Sequence, residues 1–179
     1  MPNLVRLNLT DNRLSSIAPI GSLSRLSILG FSKNEVTDIS ALQNLVGLKY
    51  LGMSDNSVTS LDALSSLPLL GLNAANNQLS SIDSVSSIST LERLNTANNQ
   101  ITNASKLSKL KNLKFLDFSN NSVTKKPSLK KIKYLFDRNN QYNKSSSSDT
   151  VKKPRDINCN TVIGDTNDLV SILGCNLFR

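Results

Sequence analysis

The sequence predicts an α/β solenoid, with a curved parallel β-sheet along its concave side and short 3₁₀ or irregular helical turns along its convex side. Two observations predict it. Six asparagines, Asn12, Asn34, Asn56, Asn77, Asn99 and Asn121, stand at spacings of 22, 22, 21, 22 and 22 residues, and such a period marks one small unit copied end to end. Around them one apolar frame returns, as Leu4-x-x-Leu7-x-Leu9-x-x-Asn12-x-Leu14, Leu48-x-x-Leu51-x-Met53-x-x-Asn56-x-Val58 and Leu113-x-x-Leu116-x-Phe118-x-x-Asn121-x-Val123.

Each element of the unit follows from its residue types. In the strand, apolar residues alternate with others, so Leu7 and Leu9 enter the core while Arg6, Asn8 and Thr10 face out. One unit buries almost nothing alone, whereas stacked units share a sheet and a core. Where the chain turns off the strand, backbone groups hidden from water need partners, and an asparagine side chain supplies both donor and acceptor. Six such residues form a ladder. After each asparagine, apolar residues recur every third position, as in Leu14, Ile17, Ile20 and Leu23 or Ile101, Ala104, Leu107 and Leu110, a spacing that suits a 3₁₀ turn.

Units begin at Leu4, Leu26, Leu48, Leu69, Leu91 and Leu113. A seventh, degenerate unit starts at Ile132, after a sixth of only 19 residues that carries Pro127. In it Phe136 and Asp137 have exchanged places relative to Asp117 and Phe118. Two arrangements fit: Asp137 occupies a core position, costly for a carboxylate, or a local bulge turns Phe136 inward. Residues 1–142 are thus read as the solenoid, 143–164 as a Ser/Lys-rich linker and 165–179 as a short capping helix over the end of the last turn. Before Leu4 no cap is present, so two readings stay open there: the chain is a fragment, or a partner or second copy assembles on the N-terminal edge.

The frame resembles the 22-residue leucine-rich repeats of the class that includes the regulatory subunit of protein phosphatase 1, the leucine-rich light chain of axonemal dynein and the bacterial internalins. Val36-Thr37-Asp38-Ile39-Ser40-Ala41-Leu42 is similar to the internalin repeat. The resemblance implies a protein-recognition scaffold without catalysis, binding through its concave sheet. The concave face departs from the acidic, tryptophan-bearing surface of the phosphatase regulators: the chain has no tryptophan, and Asp117 is the only acid among the outward strand positions.

Those outward positions are mostly small or polar. Arg6, Ile28, Tyr50, Arg93, Phe115, Asp117, Tyr134 and Arg138 stand out, because aromatics and arginines are the usual anchors of protein interfaces. Charge offers a second surface. Residues 1–124 carry 10 basic and 8 acidic side chains and residues 125–179 carry 11 and 5, so +6 of the net +8 lies in the C-terminal third. Lys106, Lys109, Lys111, Lys114, Lys125, Lys126, Lys130, Lys131 and Lys133 form a run that would attract an acidic surface such as tubulin. Nucleic acid is disfavoured, since its readers ordinarily combine arginine with stacking aromatics.

Enzyme chemistry has little to stand on. Histidine is absent, which removes the commonest general base and metal ligand, and no phosphate-binding glycine motif appears. No metal or cofactor is expected. The leading expectation is a non-enzymatic adaptor with a protein partner on its concave sheet. The first alternative is a structural component of a cytoskeletal or ciliary assembly, docked through the basic region. The second is a secreted recognition or adhesion fragment, in which Cys159 and Cys175 would be bridged. No stretch is apolar enough to cross a membrane and no secretory signal precedes Leu4, so a cytoplasmic setting is expected and a secreted one ranks below it.

Overall fold

The computed structural model describes residues 3–142. The predicted linker 143–164, the capping helix 165–179 and the two cysteines therefore lie outside the described residues. Seven three-residue strands, β1 (Arg6–Asn8), β2 (Ile28–Gly30), β3 (Tyr50–Gly52), β4 (Gly71–Asn73), β5 (Arg93–Asn95), β6 (Phe115–Asp117) and β7 (Tyr134–Phe136), form one open parallel sheet in chain order. Each is one turn of a leucine-rich repeat solenoid.

Pairing is in register throughout: Leu7, Leu29, Leu51, Leu72, Leu94, Leu116 and Leu135 are successive partners across the sheet. From Leu29 onward these leucines are buried. Burying such a side chain contributes about 1.5–3 kcal/mol, and stacking realises it at every turn. At the first turn Leu4, Leu7, Leu9 and Leu14 are only partly covered.

Five 3₁₀ helices occupy the other side, at Ala18–Ser22, Ser40–Asn44, Asp62–Leu64, Asp83–Ser87 and Ser105–Lys109. The apolar spacing of three explains them. In the first, the Ile20 amide donates to the Ile17 carbonyl (3.1 Å), Leu23 to Ile20 (2.9 Å) and Leu26 to Leu23 (2.9 Å), so one residue in three faces the core at the three-residue pitch of this helix. The helix of the third turn has three residues where the others have five, which absorbs the single residue missing between Asn56 and Asn77. In the sixth turn, between Asn121 and Asn140, no 3₁₀ helix forms among the described residues.

The asparagine ladder is the structural spine. Asn34 Oδ1 accepts from the Leu14 amide of the preceding turn (3.0 Å), while its Nδ2 donates to the carbonyls of Leu9 (3.0 Å) and Phe31 (2.8 Å). Asn56, Asn77, Asn99 and Asn121 repeat the pattern. Each carbonyl at the strand exit is thereby served twice, once by its own turn and once by the next: Phe31 by Asn34 and Asn56, Met53 by Asn56 and Asn77, Thr96 by Asn99 and Asn121. Asn140 adds a rung beyond the six predicted. It is 2% exposed, accepts from Val123 and donates to the Phe118 carbonyl, both at 3.0 Å.

The degenerate seventh turn keeps its register without a bulge. Phe118 and Asn120 donate to the Phe136 and Arg138 carbonyls, and Phe136 pairs opposite Asp117 on the outer face. Asp137 does take the core register, at the end of the stack, where the Tyr142 hydroxyl donates to it at 3.0 Å and Lys126 pairs with it at 3.0 Å. Two partners answer the desolvation that would otherwise exclude a carboxylate. Burial, and then the charge of Asp137, push the Tyr142 phenol well above its ordinary range.

Candidate binding surface

Because the strands are parallel and in register, each outward position becomes a straight file across the sheet at about 4.8 Å per strand. The first file runs Arg6, Ile28, Tyr50, Gly71, Arg93, Phe115 and Tyr134. It collects six of the eight bulky or charged strand residues singled out above, all except Asp117 and Arg138, with one glycine among them. The second runs Asn8, Gly30, Gly52, Asn73, Asn95, Asp117 and Phe136.

Position within the file decides exposure. Ile28, between Arg6 and Tyr50, is 4% exposed, and Phe115, between Arg93 and Tyr134, is 6% exposed. Both were expected as accessible anchors, and both are instead covered by longer neighbours; the Phe115 ring also packs on Phe136 at 5.5 Å between centroids. Tyr50, Arg93 and Tyr134 are half-buried, and Arg6 and Arg138 are exposed. The Lys133 ammonium lies 5.4 Å from the centre of the Tyr134 ring. Gly71 has no side chain and is buried between Tyr50 and Arg93.

The second file has a structural duty that the sequence alone did not disclose. Asn8, Asn73 and Asn95 each accept a hydrogen bond from the amide two residues on, at Thr10, Ala75 and Ala97 (3.0, 3.1 and 3.0 Å), closing the turn off the strand. Asp117 does the same for the Ser119 amide (3.0 Å) and also receives the Ser119 hydroxyl. Its carboxyl is raised from the ordinary value, chiefly by burial, with the Ser119 hydrogen bonds opposing and Asp137 adding to the rise. Asp117 is therefore a turn-closing residue as well as a candidate contact.

A further series went unread in the sequence. Asp11, Lys33, Asp55, Asn76, Asn98, Asn120 and Asn139, each just before a ladder asparagine, adopt left-handed backbone with φ between 53° and 62°. Asn and Asp tolerate that conformation best among residues with a side chain, and the recurrent Asp-Asn or Asn-Asn pair was its signal. Some also link sideways: Asn76 to Asp55 (2.8 Å) and Asn120 to Asn98 (2.6 Å).

The lysine run is partly engaged with acids. Lys106 pairs with Asp83 (2.6 Å), Lys114 with Glu92 (2.9 Å) and Lys126 with Asp137 (3.0 Å), while Lys111 donates to the Ser108 carbonyl (2.8 Å). Lys109, Lys125, Lys130 and Lys131 are exposed. Among the described residues no cluster of potential metal ligands occurs, and no helix is long and apolar enough to cross a membrane.

Two family models match the chain, both described as leucine rich repeat, over residues 2–58 and 112–131. No curated protein matches it. Among solved structures, it is similar to an internalin from Listeria monocytogenes at 28% identity and a TM-score of 0.74, covering 85% of this chain and 49% of the internalin. A second internalin of that species aligns at 26% identity and a TM-score of 0.65, covering 69% of this chain and 55% of its own. The chain thus spans about half the length of the internalins it matches. The fold is also shared with the ectodomain of a plant membrane receptor kinase from Arabidopsis thaliana, at 21% identity and a TM-score of 0.60, over 67% of this chain and 16% of that one.

Proposed function

We propose that this leucine-rich repeat protein is a non-enzymatic scaffold that takes a protein partner along its concave sheet. Repeats of this kind are commonly protein-interaction modules, and the finer reading rests on the first file. Tyr50 and Arg93 stand on either side of Gly71, two strand spacings apart, or roughly 10 Å. With no side chain of Gly71 standing between them, an aromatic ring and a guanidinium, both among the groups most enriched at interface hot spots, can engage one partner segment together. Tyr134 extends the contact toward β7, and Arg6 and Arg138 lie at its margins. Ile28 and Phe115 support this surface from within. A cytoplasmic setting is part of the proposal; a Cys159–Cys175 bridge in the native protein would count for the secreted alternative.

The test is co-purification from a native extract at mild salt, comparing wild type with a Tyr50→Ala/Arg93→Ala/Tyr134→Ala variant and with a Lys125→Ser/Lys130→Ser/Lys131→Ser variant. Phe115 is left intact because its removal would disturb packing. Loss of one defined partner in the concave variant alone supports the proposal. Retention there, with loss in the lysine variant and steep release by salt, overturns it in favour of docking on an acidic surface.

A further inference from the structure

Away from the concave sheet, a cleft of about 240 Å³ opens beside the fifth and sixth turns. The short sixth turn creates it. With 19 residues and no 3₁₀ helix, that turn does not extend the helical stack, and its Leu129 and Ile132 come down against Leu110 and Leu113. Leu110 and Leu113 are buried, whereas Leu129 and Ile132 remain half-exposed. Lys111, Lys130 and Lys131, all exposed, complete the lining with Ser108 and no acid. An occupant must therefore be apolar with negative charge at its border.

The chain carries such a segment. Thirty-seven residues follow Tyr142, in a third of the chain that is otherwise strongly basic, yet the only charged residues between 157 and 178 are Asp165 and Asp168. Directly after them come Leu169, Val170, Ile172 and Leu173. The 22 residues of 143–164 can span at most roughly 75 Å, which is ample to bring residues 165–173 back to the cleft.

We propose that residues 165–173 of this chain dock in the cleft, their apolar side chains over Leu129 and Ile132 and their two aspartates toward Lys130 and Lys131. The site is the flank of the solenoid, not the end of the last turn where the sequence alone places this segment. The proposal is independent of the partner on the concave face.

Full-length Cys159→Ser protein, spin-labelled at Cys175, tests it through paramagnetic broadening of backbone amide signals. At low salt the amides of Leu110, Leu113, Leu129 and Ile132 should lose intensity while those of β1–β3 keep theirs. A Lys111→Glu/Lys130→Glu/Lys131→Glu variant should abolish the effect, and adding Asp165→Lys/Asp168→Lys should restore it; the same spectra report whether each variant is folded. High salt on unsubstituted lysines gives a second check, since it should weaken the docking. Absence of broadening, or broadening centred on Tyr134 and Tyr142, overturns the proposal. So does broadening of an isotope-labelled copy by a separate spin-labelled copy, which would make a second molecule the occupant.

Discussion

Replacing Asn77 by alanine tests the ladder in its most coupled part. Asn77 Oδ1 accepts the Val58 amide at 3.0 Å, and its Nδ2 reaches the carbonyls of Met53, Ala74 and Ala75 at 3.0, 3.2 and 3.0 Å. In the variant each carbonyl keeps a donor: Asn56 for Met53, Asn99 for Ala74, the Asp55 amide for Ala75. Val58 loses the acceptor. An unsatisfied buried donor costs about 1–3 kcal/mol and the weakened sharing about 1 kcal/mol more, so the variant should lose ~3 kcal/mol. Asn12→Ala is the control. Asn12 is exposed and bonds the carbonyls of its own turn, Leu9 and Thr10, so water can replace it at a cost below about 1 kcal/mol. The Asn56→Ala/Asn77→Ala double variant strips both donors from Met53 and should lose about 1–2 kcal/mol beyond the sum of the singles. Urea unfolding followed by far-ultraviolet circular dichroism measures all four. Equal losses for Asn12→Ala and Asn77→Ala, or strict additivity in the double variant, would refute the shared-carbonyl account.

Three further outcomes are expected. The Thr96 hydroxyl is fully buried without a hydrogen-bond partner, so Thr96→Val should be neutral or stabilising by up to about 1 kcal/mol in thermal unfolding; a clear loss would mean that the hydroxyl is satisfied in solution. Asp117 holds its proton longer in the folded than in the unfolded chain, so its contribution to stability falls as pH rises from the ordinary carboxylate range through the raised native value. Asp117→Asn, which keeps the turn-closing acceptor that Asn73 and Asn95 already use, should gain on the order of 1 kcal/mol at pH 7 and nothing below the unfolded pKa; a pH-independent difference would refute the assignment. Lys33 is the one lysine in the left-handed series, and Lys33→Asn should raise stability by roughly 0.5–1 kcal/mol, a gain that the neighbouring Glu35→Gln should not reproduce.

The strands, their facing and the 3₁₀ turns were legible in the sequence because each depends on local pattern and repeats identically in every turn. The candidate site was legible only as a set of residue types. Ile28 and Tyr50 read alike along the chain, but burial depends on the file neighbours, 22 residues away in either direction, and writing the outward positions as columns would have shown Ile28 flanked by longer side chains. Asn140 escaped the ladder because the shortened sixth turn broke the period, although the frame around it still matched. The accommodation of Asp137 was beyond pattern, since its partners Lys126 and Tyr142 lie on either side of it in sequence and meet only when the last turn closes. The cleft was equally hidden, being the product of a missing helix.

The unequal length of the turns has a consequence for how such a molecule can change. The third turn is one residue short and the sixth three, and both shortfalls fall in the convex segment, where a 3₁₀ helix shrinks to three residues or is absent. Strand register and the asparagine spine are untouched. The two sides of the solenoid are therefore open to different kinds of variation: insertions and deletions accumulate on the outside of the coil, while the inner face can be altered by exchange of one side chain for another. The inner face is then drawn point by point on a fixed lattice, and the outer face is where new shapes, such as a cleft, arise whole.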